Sequence, residues 1–163
     1  MDFKDLIRFG FDEYLTDLKT ALEGLSVQER RFQPSPDSHH IDFAVWHMAR
    51  VEDGWIQRSI QRKPHLWVSD GWAAKFGMPE EMRDMGFNYS VEQLAEFKTS
   101  PLELILGYGQ TVRGQTVTFI DEWDPDSETE VRAPWGGTMS VAEVFLQLLW
   151  ELDEHSGQVA YLR

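Results

Sequence analysis

Two histidines and a glutamate have the types and the spacing of metal ligands. Glu151 and His155 are four residues apart, so on a helix they lie one above the other, separated by about 6 Å of rise. His155 follows the period of the surrounding apolar residues, which are Val141, Phe145, Leu148, Leu152, Val159 and Leu162. His47 shares a second apolar stripe, with Ala44, Val51 and Trp55. Both stripes should face a bundle interior, where a bound cation would supply the partner that buried polar groups require.

Each of these residues also has a simpler interpretation. A histidine on an apolar face is more often a core side chain that hydrogen-bonds to protein groups, and a Glu/His pair at this spacing is usually an ordinary helical pair. The combination on two helices favours a metal site, because bundle cores build such sites from facing helices. On the residue pattern alone, a metal site and a metal-free hydrogen-bond network are equally supported.

The remaining polar clusters are expected to carry no chemistry. His39 and His40 lie in a linker before the second helix, and His65 lies in a loop, so all three are predicted to be exposed. The segment Asp121–Glu130 contains six acidic residues in ten but lacks the glycine and glutamate that an EF-hand loop needs. It is predicted to be a solvated acidic turn. Three carboxylates close in sequence to the candidate ligands could be their hydrogen-bond partners. They are Glu52, Asp53 and Glu154.

Apolar periodicity and capping patterns predict the helices that must position these residues. The predicted helices run from Phe3 to about Gly24, from about Asp42 to Gln61, from a serine cap at Ser100 through Ile120, and from Ser140 to the C-terminus, with short ones at Ser26–Glu29 and near Ser90. Between Lys63 and Ser90 the signals weaken, which indicates a long excursion with one or two short helices. This connection is long enough for the second and third helices to run parallel in an all-α four-helix bundle.

Composition sets broad bounds on the protein. A chain of 163 residues, 42% hydrophobic, suits a single domain over residues 1–163. A net charge of −13 argues against nucleic acid or an anionic membrane as a partner, because both would be repelled. No apolar run is long enough for a membrane span, and the N-terminus has no secretory pattern, so we expect a cytoplasmic protein. The chain has no cysteine, which excludes disulfides, thiolate ligands and a cysteine nucleophile.

The sequence resembles the DinB-like superfamily over essentially its whole length. The resemblance lies in Trp46–Trp55 (WHMARVEDGW), in Val141–Glu143 (VAE) and above all in His155–Arg163 (HSGQVAYLR). It implies a DinB-like four-helix bundle with a long connection between helices 2 and 3. It also implies a divalent metal held by His47, Glu151 and His155. The commoner family pattern has histidine where this chain has Glu151, and in having glutamate there the chain is similar to the mycothiol-dependent maleylpyruvate isomerases.

The resemblance further implies an activity on a small-molecule substrate. Zinc is the first expectation for two histidines and a carboxylate, with nickel or ferrous iron as alternatives. A metal deprotonates a bound thiol, and without cysteine that thiol must be a low-molecular-weight cosubstrate, which predicts a thiol-dependent S-transferase or isomerase. A metal-dependent hydrolase and a non-catalytic metal- or small-molecule-binding stress protein are the alternatives, since fold does not fix reaction. A homodimer is expected by resemblance only.

Overall fold

The computed structural model describes residues 1–127 and 129–163, and in this part of the chain it has four long helices. They are α1 (Phe3–Leu22), α3 (Ile41–Asp53), α7 (Leu102–Glu122) and α8 (Val141–Leu162). The short helices are α2 (Val27–Arg30), α4 (Leu66–Ser69), α5 (Trp72–Phe76) and α6 (Val91–Glu96). A π-helical segment, Gly54–Ile60, continues α3. The strands β1 (Glu130–Arg132) and β2 (Thr138–Ser140) form an antiparallel hairpin before α8.

Helices α3 and α7 run parallel, as the long connection between them allows. Their contacts advance in the same direction along both helices. The Ala49 side chain lies near Gly109, and one turn further on Glu52 accepts a hydrogen bond from Thr116. The connection, which includes α4, α5 and α6, therefore returns the chain to the end of the bundle where α3 began. This confirms the DinB-like bundle with its long connection between the second and third long helices.

Helices α1 and α8 also run parallel to each other, on the other side of the bundle. Phe11 packs edge-on against Phe145, and nine residues further along α1 the carbonyl of Thr20 accepts from Arg163. Helix α8 then packs on α3 in the opposite direction, because its later residues meet the beginning of α3. The contact between α3 and α8 is the one that assembles the candidate site.

Helix boundaries follow local hydrogen bonding where the sequence offers a cap. Ser26, Ser90 and Ser140 each accept from a backbone N–H three residues on, in capping boxes that begin α2, α6 and α8 as predicted. The serine cap predicted at Ser100 is wrong. Helix α7 begins one residue later, with Pro101 at its N-cap and no side-chain cap bond. The hairpin before α8 was not predicted from the sequence.

A buried ion pair joins α3, α7 and α1. Arg113 donates two hydrogen bonds of 2.8 Å to the carboxylate of Glu52, and Thr116 donates a third of 2.6 Å. Arg113 also donates to the carbonyl of Phe11 at 3.0 Å. Glu52 thus has its acceptors occupied within the bundle, away from His47 and Glu151. A buried pair of this kind contributes strongly only while both partners are present.

We expect Arg113→Met to destabilise the protein by about 3–5 kcal/mol, because the substitution leaves the Glu52 carboxylate buried without its cation. Urea unfolding followed by circular dichroism measures this loss. Arg8→Met is the control, since Arg8 pairs with Asp121 at the surface and its loss should cost about 1 kcal/mol or less. Equal losses in the two variants would contradict the role given to the buried pair.

Candidate metal centre

Helices α3 and α8 bring His47, Glu151 and His155 together. Nε2 of His47 lies 3.1 Å from Oε1 of Glu151, and Nε2 of His155 lies 3.2 Å from the same oxygen. One ligand atom from each of the three residues lies within 4.8 Å of the other two. Two groups from one helix and one from its neighbour therefore converge on a single point.

The two helices direct these side chains inward for different reasons. Every residue of α3 is buried, because this helix is covered by α7, α8 and the long connection. Helix α8 has one covered face, and His155 lies on it in register with Leu148 and Leu152. Glu151 is one turn before His155 at the edge of that face, and its side chain keeps 15% exposure. The carboxylate therefore lies between the core and solvent.

The other ring nitrogen of each histidine is occupied by an oxygen. Nδ1 of His47 donates to the backbone carbonyl of Met85, which can only accept. Nδ1 of His155 is 2.9 Å from the side-chain oxygen of Gln158. These contacts place the proton on Nδ1 in the neutral imidazoles and leave both Nε2 lone pairs turned toward Glu151. Oxygen acceptors behind a ligating histidine are the usual arrangement at metal centres.

The electrostatics of the cluster favour a shared positive charge. When the imidazoles also carry a proton on Nε2 they donate to Glu151, and these hydrogen bonds from His155 and His47 hold the pKa of its carboxyl at about 2, although burial opposes them. Burial lowers the pKa of His155, but its hydrogen bonds to Glu151 and Gln158 outweigh burial and the pKa is raised. Two nitrogen lone pairs facing a carboxylate repel it unless a proton or a cation lies between them. Two imidazoles and a carboxylate are a donor set that fits one divalent cation.

Arg50 holds the segment that carries the Met85 carbonyl. Its buried guanidinium donates to the backbone carbonyls of Glu81, at 3.1 Å, and of Asp84, at 2.9 Å. Arg50 lies three residues after His47 on α3, so one helix supplies both the imidazole and the anchor for its acceptor. The stretch around Met85, which has no helix or strand of its own, is thereby fastened beside the cluster.

Gly86 lets this segment approach His47 closely. Its φ is +92°, a left-handed value that favours glycine. A Cβ at this position would lie 2.9 Å from Nδ1 of His47 and 2.9 Å from the ring of Phe43. Any larger residue must therefore displace the ring or the backbone next to the hydrogen bond from His47 to Met85.

The structure corrects the prediction that the other histidines are exposed. His40 is buried, and its Nδ1 caps α3 by accepting from the backbone N–H of Phe43 at 3.0 Å. His65 is buried at the N-cap of α4. His39 is half-buried, with its ring centre 5.9 Å from that of His155, so it lies beside the cluster.

The carboxylates that are close in sequence to the ligands serve other elements. Asp53 accepts from the backbone N–H groups of Leu66 and Trp67, at 2.9 and 3.0 Å, and from the Tyr108 hydroxyl at 2.7 Å. It thereby fixes the start of α4 against α7. Glu154 is exposed on α8. With Glu52 in its ion pair, the groups found behind the two imidazoles are the amide oxygen of Gln158 and the backbone carbonyl of Met85.

A pocket of about 520 Å³ opens next to the cluster. Glu151 forms part of its wall, and so do Trp55, Phe87 and Trp135. Its volume lies within the range of small-molecule sites. Glu151 lines the pocket and the two histidines do not, so a molecule in the pocket would meet the cluster at the carboxylate.

A family model described as mycothiol S-transferase matches residues 7–163. The chain belongs to the mycothiol S-transferase family. This is a DinB-like family, so the resemblance carried by the segments around His47 and His155 is confirmed. None of the curated proteins matches the chain significantly. Among the residues described, every helix is too short or too polar to traverse a lipid bilayer.

The solved structure of another protein has the same fold as this member of the mycothiol S-transferase family. The crystal structure of a conserved protein from Enterococcus faecalis superposes with a TM-score of 0.85. It is 22% identical in sequence, and the match covers 99% of this chain and 95% of that one. At this identity the likeness shows the fold alone.

The sequence did not predict the two groups that accept from the imidazoles, which are the Met85 carbonyl and the Gln158 side chain. The Met85 carbonyl is a backbone atom and has no signal of its own. Arg50, an arginine on the same apolar helix as His47, and Gly86 were the residues that could have pointed to a segment folded over the cluster. Gln158 was recognised only as part of the family segment and not as an acceptor for His155.

We expect Gly86→Ala to destabilise the protein by about 1–3 kcal/mol more than Gly24→Ala does, because only the first substitution forces a close contact. Gly24 also has a left-handed φ, +75°, but nothing lies within 4 Å of its Cβ position. Thermal unfolding gives the two stabilities. In Gly86→Ala the NMR signal of the His47 Nδ1–H should lose its protection from exchange. A protected signal and equal stabilities would contradict this account of Gly86.

Proposed function

We propose that the protein is a metal-dependent S-transferase that joins a low-molecular-weight thiol, mycothiol first among them, to an electrophilic small molecule. The observation that carries the proposal is the convergence of two imidazole Nε2 atoms and one carboxylate oxygen at the wall of a pocket. The family match supports the choice of thiol. The absence of cysteine from the sequence supports a thiol that arrives as a cosubstrate.

In this proposal His47, Glu151 and His155 hold a divalent cation, with zinc preferred and nickel or ferrous iron as alternatives. The bound cation would supply Lewis acidity, which deprotonates a thiol at neutral pH. Glu151 contributes one negative charge and the neutral imidazoles none. The donor set therefore leaves one positive charge of a divalent ion uncompensated, and this favours an anionic ligand such as a thiolate.

The protein's own residues orient the donors and shape the approach to them. Met85 and Gln158 fix the two imidazole rings through Nδ1, so that little reorganisation is needed when a ligand binds. The pocket beside Glu151 gives the electrophile an apolar place close to the sulfur. In the reaction the sulfur forms a bond to the electrophilic carbon, the leaving group departs with its electron pair, and the thiol proton passes to solvent.

We expect about one divalent ion per chain in protein purified without an affinity tag, measured by plasma mass spectrometry. Removing a group that only hydrogen-bonds to a metal ligand lowers metal affinity roughly 10- to 100-fold. His155→Ala removes a ligand itself, so it should lower the affinity by more than that. Chelation should lower the melting temperature of the unsubstituted protein, because an ion bound only by the native state stabilises it.

His39→Ala is the matched control for metal binding, since its ring lies close to His155 but outside the three-residue cluster. It should retain the ion. Equal retention by His39→Ala and His155→Ala would overturn the ligand assignment, and a protein that holds no zinc, nickel or iron would overturn the metal site.

We expect the metal-loaded protein to accelerate conjugation of mycothiol to a chromogenic electrophile such as 1-chloro-2,4-dinitrobenzene, followed by absorbance. Glu151→Gln keeps the shape of the side chain but removes its charge, and it should lower kcat/KM on the order of 100-fold, because a metal ion contributes several kcal/mol to such reactions. His39→Ala should keep most of the activity. No rate above that of the uncatalysed thiol across a series of electrophiles would exclude the transferase.

A further inference from the structure

The pocket beside Glu151 has walls that suit a flat apolar molecule. Trp55 and Trp135 meet edge to face with ring centres 6.4 Å apart, and Phe87 lies on a further wall. Trp135 is 66% exposed and Phe87 52% exposed, although both are large apolar side chains. Exposed aromatic residues gathered in a concave surface are typical of a ligand site.

The same pocket carries positive charge in an acidic protein. The chain has a net charge of −13, yet Arg58 and Arg83 both line this pocket. Within residues 1–127 and 129–163, neither guanidinium takes part in an ion pair or a side-chain hydrogen bond, whereas Arg30, Arg50 and Arg113 each have buried partners. Two arginines without partners among the described residues are therefore available to a ligand.

The other titratable groups of the pocket do not neutralise these arginines. Glu151 is the one carboxylate among the described lining residues, and its charge is shared with His47 and His155. His65 also lines the pocket, and burial lowers its pKa, so that its ring is neutral near pH 7. The pocket thus has two positively charged arginines, while its carboxylate, Glu151, already interacts with His47 and His155.

We propose that this pocket binds small molecules that combine an apolar, preferably aromatic, body with a carboxylate. The body packs against Trp135 and Phe87. The carboxylate pairs with Arg58 or Arg83, and the far end reaches toward Glu151. Guanidinium groups suit this role because they bind carboxylates through paired, charge-assisted hydrogen bonds. The inference rests on the proposed function only in taking such a molecule to be the electrophilic substrate.

Binding of two matched probes tests the proposal without any reaction. 3-Phenylpropionate and its neutral amide, 3-phenylpropanamide, have the same body and differ in charge. We expect the acid to bind about tenfold more tightly at low salt, since a charge-assisted hydrogen bond is stronger than a neutral one and exposure weakens it. Calorimetry gives both affinities, with tryptophan fluorescence as a second readout, and the preference should shrink in high salt.

Five variants locate the binding. Arg58→Gln and Arg83→Gln should each reduce the preference for the acid, and the double variant should abolish it. Arg62→Gln removes an equal charge from an exposed arginine that follows the same helical segment but does not line the pocket, and it should keep the preference. Trp135→Ala should weaken binding of the acid and of the amide equally, because it removes part of the apolar wall and no charge.

The proposal is overturned if acid and amide bind equally, if Arg62→Gln acts like the two pocket variants, or if Trp135→Ala leaves both probes unaffected. None of these measurements needs a metal or a thiol, and they are made on the purified protein before and after chelation. A protein that selects the acid but transfers no thiol would keep this inference and end the proposed function. A protein that transfers thiol without selecting the acid would do the reverse.

Discussion

One carboxylate oxygen organises the centre of this protein. Oε1 of Glu151 faces an imidazole from its own helix and an imidazole from α3, and this contact fixes how α8 lies on α3. Met85 and Gln158 orient the two imidazoles through Nδ1, so the ring positions do not depend on the carboxylate alone. The pocket lies between these two helices, the π-helical segment and the stretches that carry Phe87 and Trp135, so the bundle sets one part of its wall and irregular chain sets the other.

Helix α3 is unusual in carrying so many buried polar residues, each directed to a different element. Asp42 pairs with Arg30 near α2, Glu52 with Arg113 on α7, and Asp53 with the start of α4. Such groups are costly to bury unless every partner is present, so they favour a single arrangement of the surrounding segments. Here that arrangement includes the connection that brings a carbonyl to His47.

The bundle and the inward placement of His47, Glu151 and His155 could be predicted because both rest on periodicity. Glu151 and His155 are neighbours on any helix, and the apolar stripe around His47 determined which way its ring faces. The burial of His40 and His65 could not be predicted, since the segments that cover them lie far away in sequence. The Met85 carbonyl was out of reach for another reason: a backbone acceptor carries no residue type, and only the fold shows where it lies.

The long sequence separation between His47 and its partners has a consequence for how the chain folds. His47 meets its backbone acceptor 38 residues later and its carboxylate 104 residues later, so neither partner is available when α3 first forms. Contacts of such sequence separation are made late in folding. The three-residue cluster arises only once α8 has left the ribosome and docked on α3. A cation bound in the proposed way would therefore be captured by the native bundle and not by the growing chain.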